Sequence, residues 1–71
     1  MFLEYLYEVL VDNVDIQIWY HDWSISDERI VFEGKLFDSH KAVDYYLGCR
    51  VEQIEVDDHG KLYVEIEVDE D

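Results

Sequence analysis

Three histidines (His21, His40 and His59), a single cysteine (Cys49) and 19 carboxylates are the residues of this chain with the means to do chemistry. A zinc or other transition-metal centre needs ligands at short, regular spacing such as C-x-x-C or H-x-x-x-H, and none of the four falls in that pattern. His21 is expected at the end of a strand, His40 in the first turn of a helix and His59 in a tight turn, three separate surface positions. Cys49 follows a helix-stopping glycine, so it is expected in or beside a strand as a small buried apolar residue. A nucleophilic thiolate needs a site that lowers its pKa. Carboxylates stand close together in "SDE" (26–28) and "DDH" (57–59). General acid-base work, however, requires an apolar pocket that drives two pKa values apart, and a chain this short has little room for one. There is no glycine-rich phosphate loop. The sequence therefore predicts no catalytic residue, no metal and no cofactor, and the protein is not expected to be an enzyme.

The composition bounds the partner instead. Seventy-one residues make one domain, 1–71, that keeps much of its surface exposed when folded. With 49% hydrophobic and 15% aromatic residues the chain is too apolar to be a disordered acidic tail. Five basic against 19 acidic residues give a net charge of −14. So much like charge repels itself and lowers stability, although acidic residues also raise solubility. Direct contact with nucleic acid is disfavoured on this ground and none is expected, because affinity for phosphates comes from Lys and Arg replacing counterions, and an anionic membrane surface would repel the chain. No stretch is long enough to span a membrane, and "MFLEYLYEVL" lacks the basic start of a signal peptide. One cysteine allows no internal disulfide, which suits a reducing cytoplasm. The partner expected is a basic protein.

The elements that must carry this charge follow from periodicity. "FLEYLYEVLVDN" reads two ways: alternation would put Leu3, Tyr5, Tyr7, Val9 and Val11 on one face of a strand, whereas Glu4, Glu8 and Asp12 recur every four residues opposite Leu3, Leu6 and Leu10, which favours a helix with Asn13 as its stop. "VDIQIWYHD" alternates Val14, Ile16, Ile18 and Tyr20 against Asp15, Gln17, Trp19 and His21, a half-buried strand. After the turn-like "SISDE", a second strand places Ile30, Phe32, Gly34 and Leu36 inward and pairs back as a hairpin. "DSHKAVDYYLG" reads as a short helix with Asp38 or Ser39 as N-cap, a stripe of Ala42, Val43, Tyr46 and Leu47, and Gly48 as its stop. "RVEQIEV" breaks alternation, which predicts a bulge near Glu52 and Gln53, and "DDHG" makes a turn at Gly60. "KLYVEIEVD" then sends Leu62, Val64, Ile66 and Val68 inward. The expected fold is α+β in the order αββαββ, a four-stranded antiparallel sheet with helices packed on one face.

The other sheet face is then the candidate contact surface. It would carry Asp15, Gln17, Trp19 and His21, then Val31, Glu33, Lys35 and Phe37, then Tyr63, Glu65, Glu67 and Asp69. Of these, Asp15, Trp19, Glu33, Phe37, Tyr63, Glu65, Glu67 and Asp69 are the expected partner-binding residues. Alternate residues on a strand stand ~6.6–6.8 Å apart, a spacing also found between neighbouring phosphates of one nucleic-acid strand. Such a row, Glu65, Glu67 and Asp69, or Glu4, Glu8 and Asp12 at ~6 Å intervals along a helix, can present itself to an Arg/Lys channel built for DNA or RNA, with Trp and Tyr as short-range anchors. The alternative is that a second copy of the chain covers Trp19, Phe37 and Tyr63 in a homodimer.

In its layout of "DNVDIQIW", "ERIVFEGKLFDS", "YYLGCRVEQIEV" and "GKLYVEIEV", which spans most of the chain, the sequence resembles the small acidic proteins of phages and prophages of Gram-positive gut bacteria. That group includes anti-CRISPR proteins and other nucleic-acid mimics. The resemblance implies an inhibitor that occupies the basic nucleic-acid channel of a host defence protein in the host cytoplasm, and it assigns no functional residue. An immunity protein or antitoxin paired with a basic toxin, and a self-associating accessory protein, are the other expectations.

Overall fold

The computed structural model describes residues 1–67, so Val68, expected inward, and Asp69, expected on the contact face, lie outside the described residues. Helix α1 (Leu3–Val9) is followed by strands β1 (Asp15–Asp22) and β2 (Asp27–Lys35). A helical segment then leads to β3 (Arg50–Val56) and β4 (Leu62–Glu67). The class and element order are those expected.

The pairing of the strands is not purely antiparallel. β1 and β2 form one antiparallel hairpin, β3 and β4 another, and the sheet order is β2-β1-β4-β3, with β1 and β4 parallel at its centre. The sheet is mixed, which corrects the expectation, and the reason lies in the connection. β2 and β3 run in the same direction, so residues 36–49 must carry the chain back along the sheet before β3 can begin, as a parallel crossover of a dozen or more residues does. Once β3 starts at that end, β4 returns parallel to β1.

This crossover is not the single helix expected over 38–48. It consists of a 3-10 turn at Leu36–Asp38, one turn of α-helix, α2 (His40–Val43), and a second 3-10 turn at Asp44–Tyr46. Ser39 does not cap α2 with its side chain. It is fully buried, donates from Oγ to the Leu36 carbonyl, and shares a 2.6 Å hydrogen bond with the Tyr7 hydroxyl of α1. A hydroxyl used to tie α1 to the crossover segment is unavailable as a cap. Val43 is buried, Tyr46 and Leu47 pack partly against the core, and Ala42 is exposed.

The core lies between the sheet and the helical layer. Ile16, Ile18 and Tyr20 of β1 and Val64 and Ile66 of β4 meet Leu3, Leu6, Leu36 and Val43. The central parallel pair therefore supplies most of the sheet's buried side chains. α1 is held at its start by backbone bonds to the segment before β3, Leu3 N–H to the Cys49 carbonyl (2.9 Å) and Glu4 N–H to the Leu47 carbonyl (3.1 Å). These satisfy amides that a helix leaves free at its start. Asp12, expected on the acidic side of this helix, lies beyond its end.

Two bulges reset the faces of the edge strands. The one expected near Glu52 and Gln53 is present, between Val51 and Gln53. The other lies in β2, where the pairing skips from Ile18↔Phe32 to Trp19↔Ile30. It inverts the expected facing of the neighbouring residues. Ile30, expected inward, is exposed opposite Trp19, and Val31, expected on the outer face, packs against the core.

Candidate contact face

Both helices lie on one side of the sheet, which leaves the other side uncovered among the described residues. Cross-strand registers arrange that open face in three rows. Glu33, Gln17, Tyr63 and Glu55 form the first, Ile30, Trp19, Glu65 and Gln53 the second, and Glu28, His21, Glu67 and Arg50 the third. Each row takes one residue from β2, β1, β4 and β3 in turn.

Lysines neutralise one end of the face. Lys35 Nζ lies 3.1 Å from Asp15 Oδ1, and Lys61 Nζ lies 3.0 Å from Glu33 Oε2. Gln17 Nε2 also donates to Glu33, and the hydrogen bond from Lys61, joined by that from Gln17, lowers the Glu33 pKa. The same contact raises the pKa of Lys61. Lys61 Nζ also stands 5.4 Å from the centroid of the Tyr63 ring. Below it the β3–β4 turn is closed by Asp57, whose Oδ1 accepts the amides of His59 and Lys61, and Gly60 supplies the positive φ (+82°) the turn needs. The Lys61 amide is the main cause of the lowered Asp57 pKa. Asp57 also accepts from the Tyr63 hydroxyl at 3.3 Å.

The other end is organised around a buried imidazole. His21, expected at the surface, is only 7% exposed. The indole of Trp23 folds back from the β1–β2 turn and stacks on it, with centroids 5.0 Å apart and planes 13° from parallel. Its Nδ1 lies 3.3 Å from Glu28 Oε2, while Nε2 has no hydrogen-bond partner and points toward Glu65 Oε1 at 3.8 Å. Trp23 Nε1 donates to Glu67 Oε2 at 2.7 Å, linking the turn to β4.

Between the two ends, Trp19, Gln53, Glu55, Tyr63 and Glu65 enclose a hollow of about 140 Å³. Trp19 is fixed by its indole N–H, which donates to Gln17 Oε1 at 2.6 Å, and Gln53 donates to Glu55. Sites for drug-sized ligands run to ~300–1,000 Å³, so this half-open hollow is small beside them. Among the described residues, no group of three or more His, Cys, Asp or Glu side chains is placed to hold a metal ion. No helix there is long and apolar enough to cross a membrane.

Of the expected contact residues, Trp19, Glu33, Tyr63, Glu65 and Glu67 share the open face, and Asp15 stands at its lysine-paired end. Phe37 does not belong to it. β2 ends at Lys35, and Phe37 is an exposed residue of the first 3-10 turn, with its amide bound to Asn13 Oδ1. Sequence periodicity missed Gln53 and Glu55, which the β3 bulge brings into register with Glu65 and Tyr63, and Trp23, whose place depends on a contact across a turn.

The fold and this face define a class: a small α+β domain with a mixed four-stranded sheet, helices on one side and an acidic, aromatic surface on the other. Compared with protein families, with curated proteins and with solved structures, the chain finds no match in any of the three.

Proposed function

We propose that the chain is a non-enzymatic acidic inhibitor that binds the nucleic-acid channel of a basic host defence protein through its open sheet face and keeps the substrate out. The observation that carries the reading is the composition of that face. Glu28, Glu55, Glu65 and Glu67 stand at ladder spacing around the half-buried Trp19 and Tyr63, and no helix among the described residues covers them. Carboxylates at this spacing attract and orient a basic surface, and the aromatics supply contact area at short range.

The same face is a poor surface for self-association. In a two-fold dimer each patch meets its own copy, so a face with this excess of carboxylates would be set against the same excess. Phe37, one of three aromatics that a homodimer was expected to cover, lies elsewhere. An immunity protein or antitoxin would use the same face on a basic toxin, and a neighbouring toxin gene distinguishes that role.

The test is capture on the immobilised chain from lysate of a bacterium carrying CRISPR and restriction systems, at low salt. Retained proteins are then displaced with a DNA or RNA oligonucleotide at constant ionic strength. The reading expects a basic nucleic-acid-binding protein that the oligonucleotide releases and that the Glu65→Lys/Glu67→Lys double variant fails to hold. Equal retention on the double variant, or retention indifferent to the oligonucleotide, rejects it.

A further inference from the structure

We propose that the hollow formed by Trp19, Gln53, Glu55, Tyr63 and Glu65 is a receptor for one guanidinium group, the arginine side chain with which a basic partner anchors itself on the open face. The source of the arginine rests on the function proposed above, whereas the receptor itself is a property of this chain.

The hollow is small and about half open to solvent. A hollow of about 140 Å³ corresponds to a few water molecules at ~30 Å³ each, room for the head of one side chain. Charge then selects a cation, because two of the five lining residues are carboxylates and none is basic. The face already shows the chemistry once, with Lys61 standing over the Tyr63 ring while it binds Glu33. Since that contact engages Tyr63, the indole of Trp19 is the ring left for an incoming cation. Trp is also the best of the aromatic side chains for this purpose.

Arginine fits these walls better than lysine. A guanidinium is planar and weakly hydrated, stacks on aromatic faces and directs five N–H donors in a fixed fork. The hollow offers acceptors on two adjacent strands, Glu65 of β4 and Glu55 of β3, in neighbouring rows of the ladder. A compact ammonium reaches fewer of them at once and keeps more of its water.

A second observation also points to Glu65. The Nε2 of His21 is buried without a hydrogen-bond partner and faces Glu65 Oε1 across 3.8 Å, beyond hydrogen-bonding distance. Buried polar atoms are nearly always satisfied. The imidazole is Glu65's neighbour on the same face, in the adjoining row, and at 3.8 Å it takes up none of the carboxylate's hydrogen-bonding capacity.

The test uses small probes and the intact chain. Nα-acetyl-arginine amide, Nα-acetyl-lysine amide and Nα-acetyl-citrulline amide are titrated at constant ionic strength into the ¹⁵N-labelled protein. The readout is the indole N–H resonance of Trp19, identified by its loss in Trp19→Phe. The Trp23 indole, bound to Glu67 outside the hollow, serves as the internal reference. The expected result is a saturable shift of the Trp19 signal with the arginine probe, weaker with lysine and absent with citrulline, the uncharged isostere. Removing one charged acceptor, in Glu65→Gln or in Glu55→Gln, should weaken binding about tenfold. Glu8→Gln, the same change on α1, should leave it unaltered. No saturable shift, equal response to lysine or citrulline, or equal weakening by Glu8→Gln overturns the proposal. If the arginine probe binds but no basic protein is captured, the receptor stands and the inhibitor reading fails. A captured protein without arginine binding gives the reverse.

Discussion

Replacing Glu65 with lysine should stabilise the isolated protein while weakening its hold on a basic partner. Glu67 stands two residues along β4, ~6.7 Å away at strand spacing, and Glu55 lies diagonally across the β3 ladder at ~7–8 Å. In water, with a Debye length of ~8 Å at physiological salt, each pair repels by ~0.2–0.3 kcal/mol. Reversing the charge at position 65 turns both repulsions into attractions, a gain of ~1 kcal/mol that corresponds to ~4–8 °C in Tm for a domain of this size. The variant also loses the 3.8 Å approach of His21 to Glu65. Thermal unfolding followed by circular dichroism, at physiological salt and at 1 M salt, reads the effect. At 1 M the Debye length falls to ~3 Å and each repulsion to below ~0.1 kcal/mol, so the gain should vanish. An unchanged or lower Tm at physiological salt, or a gain that survives 1 M salt, would refute the reasoning.

Three further outcomes follow from the fold. Gly34→Ala should destabilise by ~1–3 kcal/mol, since residue 34 has φ +154° and an added Cβ would meet Phe32 Cζ at 3.0 Å; an unaltered urea midpoint contradicts this. Ile18→Ala removes a fully buried side chain of the central strand, and a loss of ~2–5 kcal/mol against the ~3–5 kcal/mol that a core of this size supplies should leave the variant largely unfolded by circular dichroism. Hydrogen bonds hold the pKa values of Glu33 and Asp57 below their ordinary 4.5 and 3.8. Their contribution is therefore present above those ordinary values and is lost as pH falls through the lowered ones. Urea midpoints should decline below about pH 4, with a shallower decline in Glu33→Gln.

Much of this architecture is legible in the sequence, and the misses share a cause. β1 and β4 alternate cleanly, and Ile16, Ile18, Tyr20, Val64 and Ile66 are buried as their phase predicts. In "RIVF" the apolar run Ile30-Val31-Phe32 satisfies either phase, so nothing local reveals the bulge that exposes Ile30 and turns Val31 inward. Leu36 prolongs the strand pattern because it is buried, yet it is buried from a 3-10 turn, and extrapolating one residue further misplaced Phe37. The parallel pairing of β1 with β4 is invisible to periodicity, because it is set by the direction in which residues 36–49 travel. His21 is buried by Trp23 across a turn, a tertiary contact that neither residue announces. Trp19, Tyr63, Glu65 and Glu67 were legible because they lie on the two strands whose alternation has no defect.

The central parallel pair also has a consequence in time. Its register joins residues 16–21 to residues 62–67, so the inner edge of β1 has no partner until the last strand of the sheet has been made. During synthesis the first hairpin must wait with a long apolar strand edge open to other chains, a situation that favours aggregation. Long-range pairing of this kind is also slow to form. The acids already made by then, Asp15, Asp22, Asp27, Glu28 and Glu33 of the hairpin among them, set like charge against like between neighbouring nascent chains throughout that interval.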